Sequence, residues 1–175
     1  MKLLSLVPVG SVARSHLEIL AEGLAPVLRV ACAVTSEPLE AGFAYDALRG
    51  QYHSTAILKR LRKIGATESW RLLGVTDGDL YIPILTFVFG EAQLGPANAS
   101  TAIVSMHRLR EEFYGLPPQP GLLADRLLKE ALHEIGHTLG LRHCSDYQCV
   151  MSSSPSVENI DVKAATFCST CATLL

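Results

Sequence analysis

The chain lacks the features that would tie it to a membrane, to nucleic acid or to a repeat architecture. No apolar run in its 175 residues approaches the roughly 20 residues needed to span a bilayer. Neither sign of charge dominates: 15 Lys and Arg stand against 17 Asp and Glu, a formal net charge of −2. That balance gives no ground for binding nucleic acid or an anionic membrane surface, and neither is expected as a partner. No internal repeat and no low-complexity tract is present. Charged residues make up only 18% of the chain and apolar residues 49%, a globular composition. The length suits one domain with a real core, so residues 1–175 are expected to form a single domain.

A secretory signal is also missing from the expectations. The opening segment Met1–Val9 carries a short apolar stretch interrupted by Pro8, and reads as a first strand. The cysteines are Cys32, Cys144, Cys149, Cys168 and Cys171, an odd count. Without a signal, that count argues against a disulfide framework and for a reducing, cytoplasmic setting.

What is present alternates between strand and helix patterns. Leu3 to Val9 reads as a buried strand, Ser11 as the N-cap of a helix running to about Leu24, and Val27 to Val34 as a second strand. Ala13, Leu17, Leu20 and Leu24 give that helix one apolar face. A βαβ opening favours parallel pairing. A second helix is expected over Gln51 to Ile64, with Ile57, Leu61 and Ile64 on one face and Gly65 as its C-cap. Its cluster Lys59, Arg60, Arg62 and Lys63 reads as a solvated face. Strands follow at Arg71–Val75, Thr86–Phe89 and Ala102–Ser105. Asp77-Gly78 marks a turn, and Asp77 with Asp79 lacks the rest of a calcium loop. Pro117 to Gly121 reads as a loop.

The chemistry concentrates in a helix expected from about Leu122 to Leu141. Leu128, Leu132, Ile135 and Leu139 form its apolar stripe. At 100° per residue, His133 and His137 project roughly 150° from the centre of that stripe, toward a cleft. Two histidines four apart on one helical face can meet one zinc ion, and Glu134 is offset so that it reaches a water beside the metal. A helix continued through His143 would carry that imidazole away. Gly140 permits a left-handed turn that returns it. Three imidazoles leave a fourth position open for water, the pattern of a catalytic site. The full spacing His133-Glu134-x-x-His137-x-x-Gly140-x-x-His143 is much rarer than its first half alone.

Cys144, Cys149, Cys168 and Cys171 give the spacing C-x4-C-x18-C-x2-C. Four thiolates in two close pairs suit a closed tetrahedral zinc; four free thiols or two disulfides are the alternatives. Because Cys144 directly follows His143, a structural zinc there would anchor the third histidine. Cys32 reads as a buried hydrophobe, and His16, His53 and His107 have no ligand spacing.

At this point the sequence resembles the metzincin metallopeptidases, and more specifically the archaemetzincin family. The resemblance rests on the long histidine motif, on the third histidine followed by Cys144, on Cys149-x-Met151 and on Cys168-x-x-Cys171. It extends upstream to Gly74–Asp77, Asp79–Tyr81 and Phe87–Ala92. It implies an α/β (α+β) zincin-like fold: a twisted mixed sheet with helices, an active-site helix carrying the zinc motif, and a small zinc-stabilised C-terminal lobe. It further implies a zinc metallopeptidase, endopeptidase or aminopeptidase, with zinc on His133, His137 and His143, Glu134 as catalytic base and a second, structural zinc on the four cysteines. Met151 would be the methionine of the turn beneath the histidines. The substrate would be a peptide bound by strand addition beside Thr86–Gly90 or the segment just after it. No pro-segment with a zinc-blocking cysteine is recognised.

One departure concerns the position two residues after the methionine, where several metzincin branches carry tyrosine and this chain has Ser153. Tyr114 and Tyr147 are the candidates by chemistry for stabilising an oxyanion. The competing reading is a zinc-stabilised interaction module with a vestigial site, against which the intact Glu134 argues.

Overall fold

Apolar residues at period two in the strands, and at helical spacing between them, decide how this chain stacks into layers. The computed structural model describes residues 2–64, 69–93 and 101–175. The first half runs β1 (Leu3–Val9), α1 (Arg14–Leu28), β2 (Ala31–Val34), β3 (Tyr45–Asp46), β4 (Gln51–His53) and α2 (Ser54–Ile64). It continues with β5 (Arg71–Thr76), β6 (Leu80–Tyr81), β7 (Gly90–Gln93), β8 (Thr101–Ser105) and α3 (Pro120–Thr138), then two short helices, α4 (Val157–Asp161) and α5 (Ser169–Ala172). Among the described residues five strands form one sheet in the order β2-β1-β5-β8-β7. Pairing is parallel throughout except for β7, which lies antiparallel on β8 at the sheet's edge. A small second sheet, β3-β4-β6, stands beside it.

The side-chain alternation places a helical layer on each face. Leu4 and Leu6 of β1, Leu73 and Val75 of β5, and Ala102 and Val104 of β8 share a core with Leu17, Leu20 and Leu24 of α1 and Leu127, Ala131 and Ile135 of α3. The opposite face presents Val7, Val9, Leu72 and Ile103 to Ile57, Leu58 and Leu61 of α2. Strands β5 and β8 are buried along their whole length, as expected of parallel strands covered on both sides. Helix α3 thus has one face in the core; its other side carries the C-terminal segment. There Arg126 pairs with both oxygens of Asp161 (2.7 and 2.8 Å) and with Glu111 (2.6 Å). One turn on, the buried Lys163 approaches Glu130 at 3.4 Å.

Several boundaries differ from the sequence expectations. Ser11 is not the cap of α1: the helix begins at Arg14, and Ala13 occupies the cap position without a side-chain bond. Helix α1 also runs through Pro26 to Leu28, where a strand was expected. Pro26 sits in the last turn, and Val27 and Leu28 pack on the core, so tertiary burial outweighs the strand propensity of Val27. Residues 51–53 form β4, and α2 starts only at Ser54. Ile64 is exposed, and Gly65 lies outside the described residues. Lys59, Arg60, Arg62 and Lys63 are solvent-exposed, as expected. Pro120 and Gly121 belong to α3, with proline in the first turn, where its missing N–H costs nothing. The expected strand Thr86–Phe89 is a loop: Arg49 and Gln51 take the Thr86 carbonyl, and Val88 makes only an isolated antiparallel bridge with Leu80, so the strand begins at Gly90.

Candidate metal centres and active-site cleft

The site is set by how α3 ends. Arg71, the first residue of β5, donates to Thr138 Oγ1 (3.1 Å) and to the Thr138 carbonyl (3.3 Å), filling acceptors left open in the last turn. Gly140 then takes φ +93°, a left-handed conformation that glycine alone adopts without steric cost. The chain turns back, and His143 returns to His133 and His137. The three rings form a triangle with centroids 4.6, 5.3 and 5.1 Å apart. One nitrogen from each lies within 4.8 Å of the others.

Backbone carbonyls fix the tautomers of two of these rings. His133 Nδ1 donates to the Val150 carbonyl and His137 Nδ1 to the Leu141 carbonyl, each at 2.8 Å. Both Nε2 atoms are thereby left as lone-pair donors, and they face each other at 3.0 Å. Two lone pairs converging in this way fit a shared cation. Burial, helped by the positive charge of Lys163, pushes His133 down to about 3, and burial also lowers His137. Both rings therefore stay neutral, the form that binds metal.

Glu134 is buried beside this triangle. Burial, then the charges of Glu130 and Glu91, raise its carboxyl well above the ordinary carboxylate range. The cleft it faces has a volume of about 440 Å³. Phe87, Phe89 and Gly90 form one wall and Ser153 to Pro155 another, with His133, His143 and Glu134 at the base. Beyond Gly90 the edge strand β7 continues past His137 and His143, since Ala92 lines the space beside them. Tyr114 donates to the Arg108 carbonyl and Tyr147 is 66% exposed; neither lines the cleft.

The four clustered cysteines also converge. Their sulfurs lie within 4.8 Å of one another, and Cys144 Sγ is 3.8 Å from Cys168 Sγ. A tetrahedron with metal–sulfur bonds of about 2.3 Å has edges of about 3.8 Å. The backbone N–H of Cys168 points at Cys149 Sγ (3.3 Å) and that of Cys171 at Cys168 Sγ (3.5 Å). Such bonds favour thiolates, and the one from Cys171 brings the Cys168 thiol down to about 7, while burial raises the Cys149 and Cys171 thiols. The donor sets therefore fit zinc at both places: three imidazoles with an open side, and four sulfurs closed around a point.

The segment carrying Met151 joins the two clusters. Val150 holds His133 through its carbonyl, and the Met151 carbonyl accepts the Cys144 N–H at 2.9 Å. Met151 itself is fully buried against Gly136, between the two helical histidines.

The other expectations fall outside these clusters. Cys32 is a free thiol on β2, half-buried. His53 stacks on Tyr81, and His107 Nδ1 meets the Asp77 carbonyl at 3.2 Å. Asp79 pairs with Arg108 through two bonds, of 2.8 and 2.7 Å, and Asp77 pairs with Arg110. Sequence reasoning missed Glu130, Lys163 and the close approach of Gly90 to Glu134. Glu130 carried a visible signal, lying one helical turn before Glu134; Lys163 carried none.

The model of peptidase family M54 matches residues 31–175. An archaemetzincin of Methanocaldococcus jannaschii is 50% identical over 129 residues, 74% of this chain and 68% of that protein. An archaemetzincin of Pyrococcus furiosus is 39% identical over 171 residues, 94% of this chain and 88% of that protein. The crystal structure of a zinc-dependent peptidase from Methanocorpusculum labreanum superimposes with a TM-score of 0.87 at 30% identity, covering 98% of both chains. That of the Archaeoglobus fulgidus archaemetzincin, complexed with malonate, gives a TM-score of 0.83 at 38% identity over 100% of both chains. The α/β zincin-like fold implied by the sequence is the fold of this chain. With its family model, its relatives and its architecture in agreement, the chain belongs to peptidase family M54, the archaemetzincins.

Proposed function

We propose that the protein is a zinc metallopeptidase whose residues 1–175 form one catalytic domain. His133, His137 and His143 hold the catalytic zinc, and Cys144, Cys149, Cys168 and Cys171 hold a structural zinc. The observation that carries this reading is the pair of Nε2 atoms of His133 and His137, 3.0 Å apart, with both Nδ1 protons committed to carbonyls. When bound, zinc acidifies a water and polarises the substrate carbonyl.

The chain's own residues supply the rest. Glu134 takes a proton from the attacking water at its carboxylate and delivers it to the departing amine nitrogen. A carboxyl whose pKa is raised by burial holds that proton better than an exposed one would, although a bound dication pulls the value back down. Among the described residues no strand pairs with the outer edge of β7, which offers backbone groups to an extended peptide beside His137 and His143. The Val150 and Met151 carbonyls hold His133 and Cys144 in place, so the sulfur cluster acts as the anchor of the third histidine.

The test is hydrolysis of a peptide library by the zinc-loaded protein, with Glu134→Ala as control. Cleavage by the parent and none by the variant supports the reading. Equal background in both, with zinc present, favours an interaction module instead. The position of the cuts within longer peptides separates endopeptidase from aminopeptidase action.

A further inference from the structure

The loop from Ile82 to Phe89 holds its backbone from beneath and turns apolar side chains to solvent. Arg49 Nη2 donates to the carbonyls of Leu85 (3.0 Å) and Thr86 (3.2 Å), and Gln51 Nε2 donates to that of Thr86 at 2.9 Å. Arg49 is itself held, with its guanidinium 4.1 Å over the Tyr81 ring and its Nε bonded to Gln51 at 3.0 Å. Gln51 reaches Asp79 at 2.9 Å, and the Val88 N–H bonds the Leu80 carbonyl at 2.9 Å. A loop fixed this firmly nevertheless leaves Ile84 86% exposed and Leu85 49% exposed.

Scattered exposed apolar residues are ordinary; adjoining ones on a pinned backbone beside a cleft point to a binding surface. Here the surface is continuous with the cleft, because Leu85, Phe87 and Phe89 line it together with His133 and Glu134. We propose that Ile84 and Leu85 form a subsite for apolar side chains in the leaving-group half of a peptide substrate. The proposal rests on the peptidase reading given above.

The direction follows from β7. A peptide added antiparallel to its free edge runs opposite to Gly90–Gln93, so its C-terminal half lies over the residues that precede Gly90. Antiparallel pairing is also slightly the more stable of the two arrangements per residue. The rim is rigid before the peptide arrives, so little ordering entropy opposes binding there.

The test has two arms, both with zinc-loaded full-length protein. In the first, library cuts made by the parent are mapped by mass spectrometry. Leu, Ile and Phe should be enriched at the first few positions after the cut, and the double variant Ile84→Asp, Leu85→Asp should lose that enrichment. In the second, Glu134→Gln protein is titrated with a labelled Leu-containing peptide and its Ser-substituted counterpart, so binding is read without turnover. The rim substitutions should raise Kd for the Leu peptide about tenfold and for the Ser peptide less than about twofold. Ile19→Asp, on the exposed face of α1, serves as the charge control and should change neither. Ile84→Ser stands in if the double variant does not fold. Apolar enrichment only before the cut, or equal Kd values with and without the rim residues, overturns the proposal. Absence of any cleavage overturns the peptidase reading, while the titration still decides the subsite.

Discussion

Glu134 lies directly against the backbone of Gly90: a Cβ built on that glycine would stand 2.7 Å from Glu134 Cγ and 2.7 Å from the Ile103 carbonyl. The edge strand and the candidate base are therefore spaced by the absence of a side chain. Gly90→Ala should push β7 away from α3 and move the carboxylate. We expect kcat to fall at least about tenfold, as small misplacements of reacting groups do. Zinc content should remain at the parent level. Peptide hydrolysis and metal analysis on the same preparation check this; unchanged turnover would mean that the strand yields and the carboxylate stays.

Glu134→Gln keeps the shape of the side chain and removes the proton acceptor. General acid–base catalysis contributes about 10²–10⁴-fold, so kcat should drop within that range. Zinc bound per chain should not change, because the amide touches no ligand nitrogen. Full activity in a variant free of parent protein refutes the role assigned to Glu134.

Gly140→Val places a β-branched residue at φ +93°. The strain favours a different turn, and His143 loses its approach to His133 and His137. Zinc at the histidine site should be weakened while zinc at the cysteines is largely retained. Titration with a chelator, followed by metal analysis, reads the two sites separately.

The two metal sites should empty in order. Mild acid or chelation should remove zinc from the open histidine site before the closed thiolate site. His137→Ala should lower zinc content with little change in Tm, since the core face of α3 carries Leu127, Ala131 and Ile135 regardless. Cys168→Ser should lower both zinc content and Tm. The ion pairs of Arg126 with Asp161 and of Lys163 with Glu130 still dock the segment around α4, so loosening should concentrate near α5. Hydrogen exchange locates it; full zinc and an unchanged Tm in Cys168→Ser would remove the thiolate site from the description.

Asp79 provides a pH-dependent test of the scaffold behind the rim. Burial raises its carboxyl, but hydrogen bonds from Arg108 and Gln51 and the charge of Arg108 outweigh that and leave it below its ordinary value of 3.8. A folded-state pKa below the unfolded one contributes stability that is present above the unfolded pKa and is lost as pH falls through the folded value. Asp79→Asn should therefore cost about 2 kcal/mol near neutral pH. The gap to the parent should close below pH 3.8. Urea melts at several pH values measure it, and a gap that persists in acid would assign the cost to packing instead.

The sequence by itself determined the elements that depend on local chemistry. The apolar spacing of α3 and the left-handed turn at Gly140 follow from rules acting over a few residues, and the structure shows both. Half of each candidate ligand set was legible for the same reason: side chains four apart on a helix, as His133 and His137, or three apart in a turn, as Cys168 and Cys171, are neighbours whatever the rest of the chain does. Family membership was legible because those short spacings are held together in one order.

Tertiary structure decided what depends on partners distant in sequence. It extended α1 through Pro26, because Val27 and Leu28 find a core there. It turned Thr86–Phe89 from strand into rim: Arg49 and Gln51 take the Thr86 carbonyl from across the fold, and Val88 bridges only Leu80. It set the tautomers of His133 and His137 through the Val150 and Leu141 carbonyls, brought Gly90 against Glu134 and buried Lys163 beside Glu130. None of these pairings has a sequence signature. The polar ones arise because a buried polar atom must find a partner and the others because apolar surface and close backbone approaches must be packed, and only the folded chain determines which neighbour lies within reach.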